Sequence, residues 1–242
     1  MMANTFQNLK IFSKIRSKKP IRVLAFGASN TQRYMTGMHW FDYVELGFKQ
    51  KYSGNVGQFI NSGVSGNTTE DLLYRYEHDA GDYNPELTIL TIGGNDCNPD
   101  RHISAEQFRK NLLELYDRLT KQGGEVLFQT YYASDLEQMI PERATAMVRN
   151  MAIVRETAKD LKASLHDNDL RWALLREHNI KLYRTLMRDA MHVNSLGNMA
   201  IGLDLMRKFG LEPAESDLNY LAPGLFVQRV LDDFEKEFGE VE

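Results

Sequence analysis

The sequence predicts an α/β fold, a five-stranded parallel sheet with helices on both faces. Three observations carry this. Five short apolar runs of strand length alternate with longer stretches whose apolar residues recur at helical spacing. Glycines and small polar residues follow the strand ends, and nothing comparable precedes them. Finally, 242 residues, 43% hydrophobic and 26% charged, suit one large soluble domain with a buried core. Alternating strands and helices joined by right-handed crossovers place every strand's carboxyl end on one rim, where open α/β sheets bind ligands.

The first 20 residues read as a polar, basic arm, with Lys14, Arg16, Lys18 and Lys19 on a solvated face. Phe6, Leu9, Ile11, Phe12 and Ile15 give it an apolar side on which a short helix can dock. The core domain is expected over 21–210. Its first strand, centred on 23–26, stops at Gly27-Ala28-Ser29-Asn30-Thr31. Ser29 there is either a nucleophile raised into a crevice or the cap of a following helix. A helix is expected over 40–49. A second strand over 56–60 ends in the glycine-containing loop from Asn61 to Thr69. Thr68 or Thr69 then caps a helix whose first turn holds Glu70 and Asp71.

The third strand, 87–92, breaks at Gly93-Gly94-Asn95-Asp96. Ser104 and Gln107 have capping-box spacing. Phe108, Leu112, Leu115 and Leu119 mark the helix that follows, and Gly123 its stop. The fourth strand, 126–129, ends in Thr130-Tyr131-Tyr132. Pro141 opens a long helix buried along Met147, Met151, Val154 and Ala158. A short fifth strand at 163–166 is expected at the sheet edge, then a helix over 171–178. The stretch Asp189 to Ser195 reads as a loop, with Asn194 or Ser195 capping a last core helix closed by Gly210. Beyond it, 211–242 reads as a linker bracketed by Pro213 and Pro223. An added amphipathic helix follows, burying Phe226, Val230, Phe234 and Phe238. That helix is expected to cover a flank of its own domain, so a monomer is favoured over a homodimer.

A net charge of -4 argues against a general nucleic-acid binder. The single cysteine, Cys97, excludes an intrachain disulfide and a cysteine-built zinc site, and is expected to be inert. No apolar run is long enough to span a bilayer. Without the apolar core of a secretory signal in residues 1–20, a cytoplasmic location is expected, unless a signal lies outside this sequence. Of six histidines only His192 has an acid at useful spacing. His39, His78, His102, His166 and His178 read as packing or surface residues. The run from His166 to Asp169 reads as a solvated turn rather than a cation site.

The strand-end residues divide into chemical roles. Serine is a weak nucleophile until a base takes its proton, and His192 is the candidate base for Ser29. Asp189, three residues earlier, can reach the His192 Nδ1 and fix its tautomer. The backbone N–H groups of Ser29 and Gly66 and the Asn95 amide are candidate donors to an oxyanion. Asn30, Arg33, Tyr34, Trp40, Tyr131 and Tyr132 sit on rim loops and are candidate substrate-binding residues.

Four blocks in order then resemble the SGNH, or GDSL-type, esterases and lipases. They are Phe26-Gly27-Ala28-Ser29, Asn61-Ser62-Gly63-Val64-Ser65-Gly66-Asn67-Thr68, Gly93-Gly94-Asn95-Asp96 and Asp189-Ala190-Met191-His192. The resemblance implies a flavodoxin-like α/β/α sandwich, an acyl-enzyme reaction, the same catalytic and oxyanion residues, and no metal or organic cofactor. Two positions depart from the family pattern. Ala28 replaces the aspartate thought to brace the nucleophile turn, and Val193 replaces the proline after the histidine. The reading is a serine esterase for a short acyl group, acetyl by resemblance, on a small-molecule or carbohydrate ester. A lysophospholipase or thioesterase at the same site is the alternative. An inactive flavodoxin-like binding module is the reading from another class.

Overall fold

The computed structural model describes residues 6–54 and 57–239. Val56, expected to open the second strand, lies outside them, as do residues 1–5 and 240–242. In chain order the helices and strands are α1 Ile11–Arg16, β1 Ile21–Gly27, α2 Trp40–Lys51, β2 Gly57–Gly63, α3 Thr69–Tyr74 and α4 Tyr76–Asp79. They continue as β3 Leu87–Thr91, α5 Ala105–Thr120, β4 Glu125–Gln129, α6 Pro141–Asp160, β5 Ser164–His166 and α7 Asn168–His178. Last come α8 Ile180–Leu186, α9 Ser195–Lys208 and α10 Leu218–Phe238. The sheet is parallel throughout, in the order β2-β1-β3-β4-β5.

Alternation along the strands divides the core in two. Ile21, Val23 and Ala25 point to a cluster with α1, α2, α9 and α10, while Leu24 and Phe26 point to one with α3, α5 and α6. The N-terminal segment belongs to the first cluster: Phe6, Leu9, Ile11, Phe12 and Ile15 are all buried. It therefore docks with its whole apolar side.

Local capping agrees with the sequence in most places. Thr68 caps α3 and exchanges hydrogen bonds with Asp71, and Asn194 caps α9 through the N–H groups of Leu196 and Gly197. At α5 only half of the expected box forms. Ser104 accepts from Gln107 N, but the Gln107 side chain turns to Asn111 instead. Strand β2 runs three residues further than the expected 56–60, through Asn61, Ser62 and Gly63. The helix α8 was not expected, because it is only seven residues long, too short for Ile180, Tyr183 and Leu186 to stand out as a helical period.

The C-terminal helix differs most. It starts at Leu218 and runs through Pro223. A proline there removes one backbone hydrogen bond near the helix start, a modest loss against tertiary packing. Leu221, Gly224, Val227 and Leu231 face the protein, and Phe226 and Phe238 stay exposed. Residues spaced four apart drift about 40° per step around a helix, so a stripe of that spacing cannot stay on one face. Val230 and Phe234 pack at its margin. The helix lies on α7 and α9 of its own chain. It is fastened by buried Arg171, which donates to Asp232 (2.6 Å) and to Glu235, and by Gln228 Nε2 donating to Ala200 O (2.5 Å). Among the described residues no helix is long and apolar enough to cross a membrane.

Helices α2 and α9 cross in close contact. A Cβ on Gly202 would lie 2.6 Å from Tyr43 Cδ2 and 2.8 Å from Trp40 O. Alanine there gains about 1 kcal/mol of helix propensity, but forced overpacking costs about 1–3 kcal/mol. Because one obstacle is backbone, the second effect should win. Gly202→Ala should therefore lower the melting temperature, and thermal unfolding followed by circular dichroism checks it; a rise would show that α2 yields freely.

Candidate active site

The register of the sheet assembles the rim. Gly27 of β1 is level with Gly63 of β2 on one side and Thr91 of β3 on the other. Ser29, Gly66 and Asn95 follow two, three and four residues beyond those strand ends. Glycine is required twice at the crossing. A Cβ on Gly63 would sit 2.2 Å from Gln32 N, and one on Gly27 would sit 2.3 Å from Thr91 O. The turn after β1 thus lies directly against the end of β2. No helix starts at Ser29; Ala28 O accepts from the N–H groups of Thr31 and Gln32, and the next helix, α2, is capped by His39.

Ser29 Oγ is 2.8 Å from His192 Nε2. His192 Nδ1 is 2.7 Å from Asp189 Oδ1 and 2.9 Å from Oδ2. The carboxylate accepts a hydrogen bond from Nδ1–H, which leaves the Nε2 lone pair facing the hydroxyl. Burial raises the Asp189 carboxyl, but hydrogen bonds from Met191 N, His192 and Arg188 outweigh it and hold the group below the usual carboxylate range. Asp189 and His192 sit on a tight hairpin in which Met187 bridges Val193 and Arg188 N donates to His192 O (2.7 Å).

Asn30 and Tyr132 join this hairpin to the serine turn. Asn30 Nδ2 donates to Met191 O (3.2 Å), and its Oδ1 lies 2.7 Å from the Tyr132 hydroxyl. That hydroxyl also lies 2.5 Å from Met191 O and accepts from Val193 N (2.7 Å). Trp40 Nε1 and His39 Nε2 both donate to Asn30 O. His39 Nδ1 accepts from Phe41 N (3.3 Å), so the ring is the neutral Nε2–H tautomer, and burial pushes its pKa down to about 4. Trp40, Tyr131 and Tyr132, expected on the substrate side, are instead buried behind the site. Large rings at strand ends were best used here to fill the space beneath the rim.

Ser29, Asn30, Arg33 and Tyr34 do line an open cavity of about 230 Å³, completed chiefly by Met35, Thr36, Met38 and His39. Arg33 is tied to Asp42 and lies 3.7 Å from Glu45, and Tyr34 is 43% exposed. On the other side of Ser29, Asn95 Nδ2 donates to Asn67 O (2.9 Å), which joins the loops after β2 and β3 and leaves the second amide hydrogen available. Gly66 has φ +83°, a left-handed conformation that suits glycine, and its carbonyl accepts from Arg101.

Two residues outside the expected set hold these loops. Arg75 donates to Gly27 O and Ser62 O (2.9 Å each), to Asn67 Oδ1 (2.7 Å) and to Asp79. It braces the turn that carries Ser29, where Ala28, fully buried, offers no carboxylate. The only sequence signal for Arg75 was its i,i+4 spacing to Asp79. Asp96 Oδ1 accepts from Thr69 N (2.9 Å) and Oγ1 (2.5 Å), and Thr69 Oγ1 accepts from Asn111. Cys97 is buried with its thiol on Gly94 O, and burial raises its pKa. His166, expected in a solvated turn, is fully buried between Gln129 and Asp204, 2.9 Å from each. Its neighbours α9 and β4 close over it, which the local run of polar residues did not reveal. Among the described residues, no group of three or more His, Cys, Asp or Glu side chains is placed to hold a metal ion.

Residues 25–200 match the model of the GDSL-like Lipase/Acylhydrolase family. The chain belongs to this family. It is therefore an ester hydrolase of the SGNH type. It is 26% identical over 200 residues to an acetylxylan esterase of Geobacillus stearothermophilus, covering 78% of this chain and 85% of that one. Over 120 residues it is 30% identical to an uncharacterized lipoprotein of Bacillus subtilis, a match spanning 45% of this chain and about half (47%) of the relative. Among solved structures, a catalytic mutant of the Geobacillus acetylxylan esterase superposes with a TM-score of 0.68 at 21% identity, over 79% of this chain and 95% of that one. A lipase/acylhydrolase of Enterococcus faecalis superposes with a TM-score of 0.63 at 23% identity, covering 81% and 99%. These likenesses show a shared fold for this hydrolase.

Asp96 makes the stability of the site pH-dependent. Burial raises its pKa to about 6 against the hydrogen bonds from Thr69. The folded state therefore holds this proton more tightly than the unfolded chain, whose value is 3.8. The contribution is fully present below the unfolded value and is lost as pH rises through about 6. Asp96→Asn should remove this slope, so the wild type should lose stability relative to the mutant between pH 4 and 7. Urea unfolding of both proteins across that range measures it; parallel curves would show an unshifted carboxyl.

Proposed function

We propose that this hydrolase removes a short acyl group, acetyl in the first instance, from an oxygen ester through an acyl-enzyme. The hydrogen-bonded line from Ser29 through His192 to Asp189, opening on a small cavity, is the observation that carries the reading. In the first half-reaction His192 Nε2 takes the Ser29 proton as Oγ attacks the ester carbonyl. The carbonyl oxygen becomes an oxyanion and receives hydrogen bonds from Ser29 N, Gly66 N and Asn95 Nδ2. His192 then gives the proton to the departing alcohol oxygen, and the C–O bond breaks. In the second half-reaction a water gives its proton to His192 and attacks the acyl-enzyme, which releases the acid and restores Ser29. Asp189 keeps the imidazole in the required tautomer and stabilises its charged form without itself taking the proton.

Cavity size supports the acyl length. About 230 Å³ lies below the range of about 300–1,000 Å³ typical for drug-sized ligands, and a long fatty chain needs more room than an acetyl group. The wall is mixed, with Tyr34 and Met35 beside Arg33 and Thr36, so it offers apolar and hydrogen-bonding surfaces together. A relative matched over 78% of this chain is named an acetylxylan esterase, and we extend that class, a carbohydrate O-acetyl ester, to this chain.

Activity on 4-nitrophenyl acetate with little or none on the palmitate is the expected outcome. Preference for the palmitate would favour the lysophospholipase alternative, and no turnover of either the inactive module. Ser29→Ala should abolish turnover without lowering the melting temperature. Asn95→Ala should lower kcat by about 100-fold or more with KM little changed, since the lost donor acts in the transition state. Steady-state kinetics decide both: an Asn95 effect confined to KM would make it a ground-state binding residue, and an active Ser29→Ala enzyme would remove the proposed nucleophile.

A further inference from the structure

Asp189 is unusual for the carboxylate of such a line because its side chain is 45% exposed. A buried carboxylate is locked by its walls, but an exposed one must be held by specific partners. Its Oδ1 is held by Met191 N (2.9 Å). Its Oδ2 accepts from Arg188 Nε (3.1 Å) and Nη2 (2.9 Å), a forked contact from the neighbouring residue. The same guanidinium lies 4.8 Å from the centroid of the Tyr34 ring, and Tyr34 lines the cavity. Arg188 thus bridges the substrate wall, from the loop after β1, and the acid on the hairpin before α9.

We infer that Arg188 is a positioning residue of the esterase, fixing Asp189 toward His192 and coupling that arrangement to Tyr34 on the cavity wall. The inference rests on the Ser29–His192–Asp189 reading proposed above. Two physical effects follow. The fork stops rotation of an otherwise free carboxylate, so the imidazole keeps its aim at Ser29. The fixed positive charge also opposes the imidazolium that forms during catalysis, and offsets part of the attraction from Asp189. Geometry is therefore improved and charge stabilisation reduced, and the two are separable by substitution.

The groups facing this pair are few. Arg188 and Asp189 lie on its own hairpin, Ser29 and Tyr34 come from the segment after β1, and Tyr132 comes from the end of β4. Arg33, across the cavity, is occupied by Asp42 and Glu45. Burial chiefly raises both tyrosine hydroxyls, so neither carries charge near neutral pH. Arg188 is thus the fixed cation in direct contact with Asp189, while Arg33 is engaged by its own carboxylates.

The test compares Arg188→Gln, Arg188→Lys and Ser29→Ala with the wild type, using 4-nitrophenyl acetate across pH and thermal melting as the fold control. Arg188→Gln should lose kcat by roughly tenfold to 100-fold, the scale of a misplaced catalytic group. Its kcat/KM acid limb should move to higher pH, because the imidazolium loses an opposing charge. Arg188→Lys keeps a point charge without the planar fork, so it should return the acid limb to its wild-type position while kcat stays low. Unchanged kcat and pH profile in a folded Arg188→Gln enzyme would overturn the inference. So would a fall in kcat with the acid limb unmoved, which marks a purely structural role. An active Ser29→Ala protein would instead sink the underlying triad reading, an outcome independent of the Arg188 variants.

Discussion

The meeting of Asn30, Tyr132 and the Met191 carbonyl is the constraint on which the site depends. Ser29 leaves the sheet after β1, whereas His192 comes from a hairpin more than 160 residues later. Nothing in the backbone ladder connects the two. Asn30 is the residue after Ser29 and Met191 the residue before His192, so the hydrogen bond between them helps set the distance between the Ser29 and His192 side chains. The Tyr132 hydroxyl sits at the junction, near Asn30 Oδ1 and Met191 O, and accepts from Val193 N. Such a buried polar cluster is stabilising only when every member finds a partner. Here Trp40 and His39 complete it by donating to Asn30 O.

The side of the site that carries Gly66 and Asn95 is built on different principles. Its loops are joined by Asn95 donating to Asn67 O and Arg101 donating to Gly66 O, and are braced from behind by Arg75 and Asp96. Arg75 gathers the last carbonyl of β1, a carbonyl of β2 and the Asn67 side chain onto one guanidinium. Where the family pattern places a carboxylate, this chain has a methyl group packed in the core at Ala28. The turn is instead held through backbone carbonyls, which is insensitive to the side chain at that position. Loss of the aspartate is thus compatible with an ordered nucleophile turn.

Local signals made most of the architecture legible. Strand runs, glycine stops and the caps Thr68, Ser104 and Asn194 depend on residues near one another in sequence, and period and capping read them directly. The strand-end cluster was legible because parallel topology converts sequence order into a common rim. What failed was long-range. His166 looked like part of a polar turn because Asp204, its partner, lies on α9. The face of α10 was misassigned because its spacing was judged without the helix it packs on, where Gly224 lets Met199 and Leu203 approach. Tyr131 and Tyr132 were placed at the right end of the right strand, but sequence does not say whether a ring points up into a cavity or down into the core. Arg188 adjoins Asp189 in sequence, yet its contact with Tyr34 exists only after folding.

The hairpin that carries Asp189 and His192 has one more consequence. It is closed within itself by the Met187–Val193 bridge and the Arg188–His192 backbone bond, and tied at its base by Asn194 N to Leu186 O. Asp189 and His192 therefore sit on one piece closed by its own hydrogen bonds, while Ser29 belongs to another. The seam between them is spanned by side-chain hydrogen bonds of Asn30, Tyr132 and Ser29. Opening along that seam would part hydroxyl from imidazole while leaving imidazole and carboxylate paired, so a two-piece construction permits activity to be lost by local opening, without global unfolding.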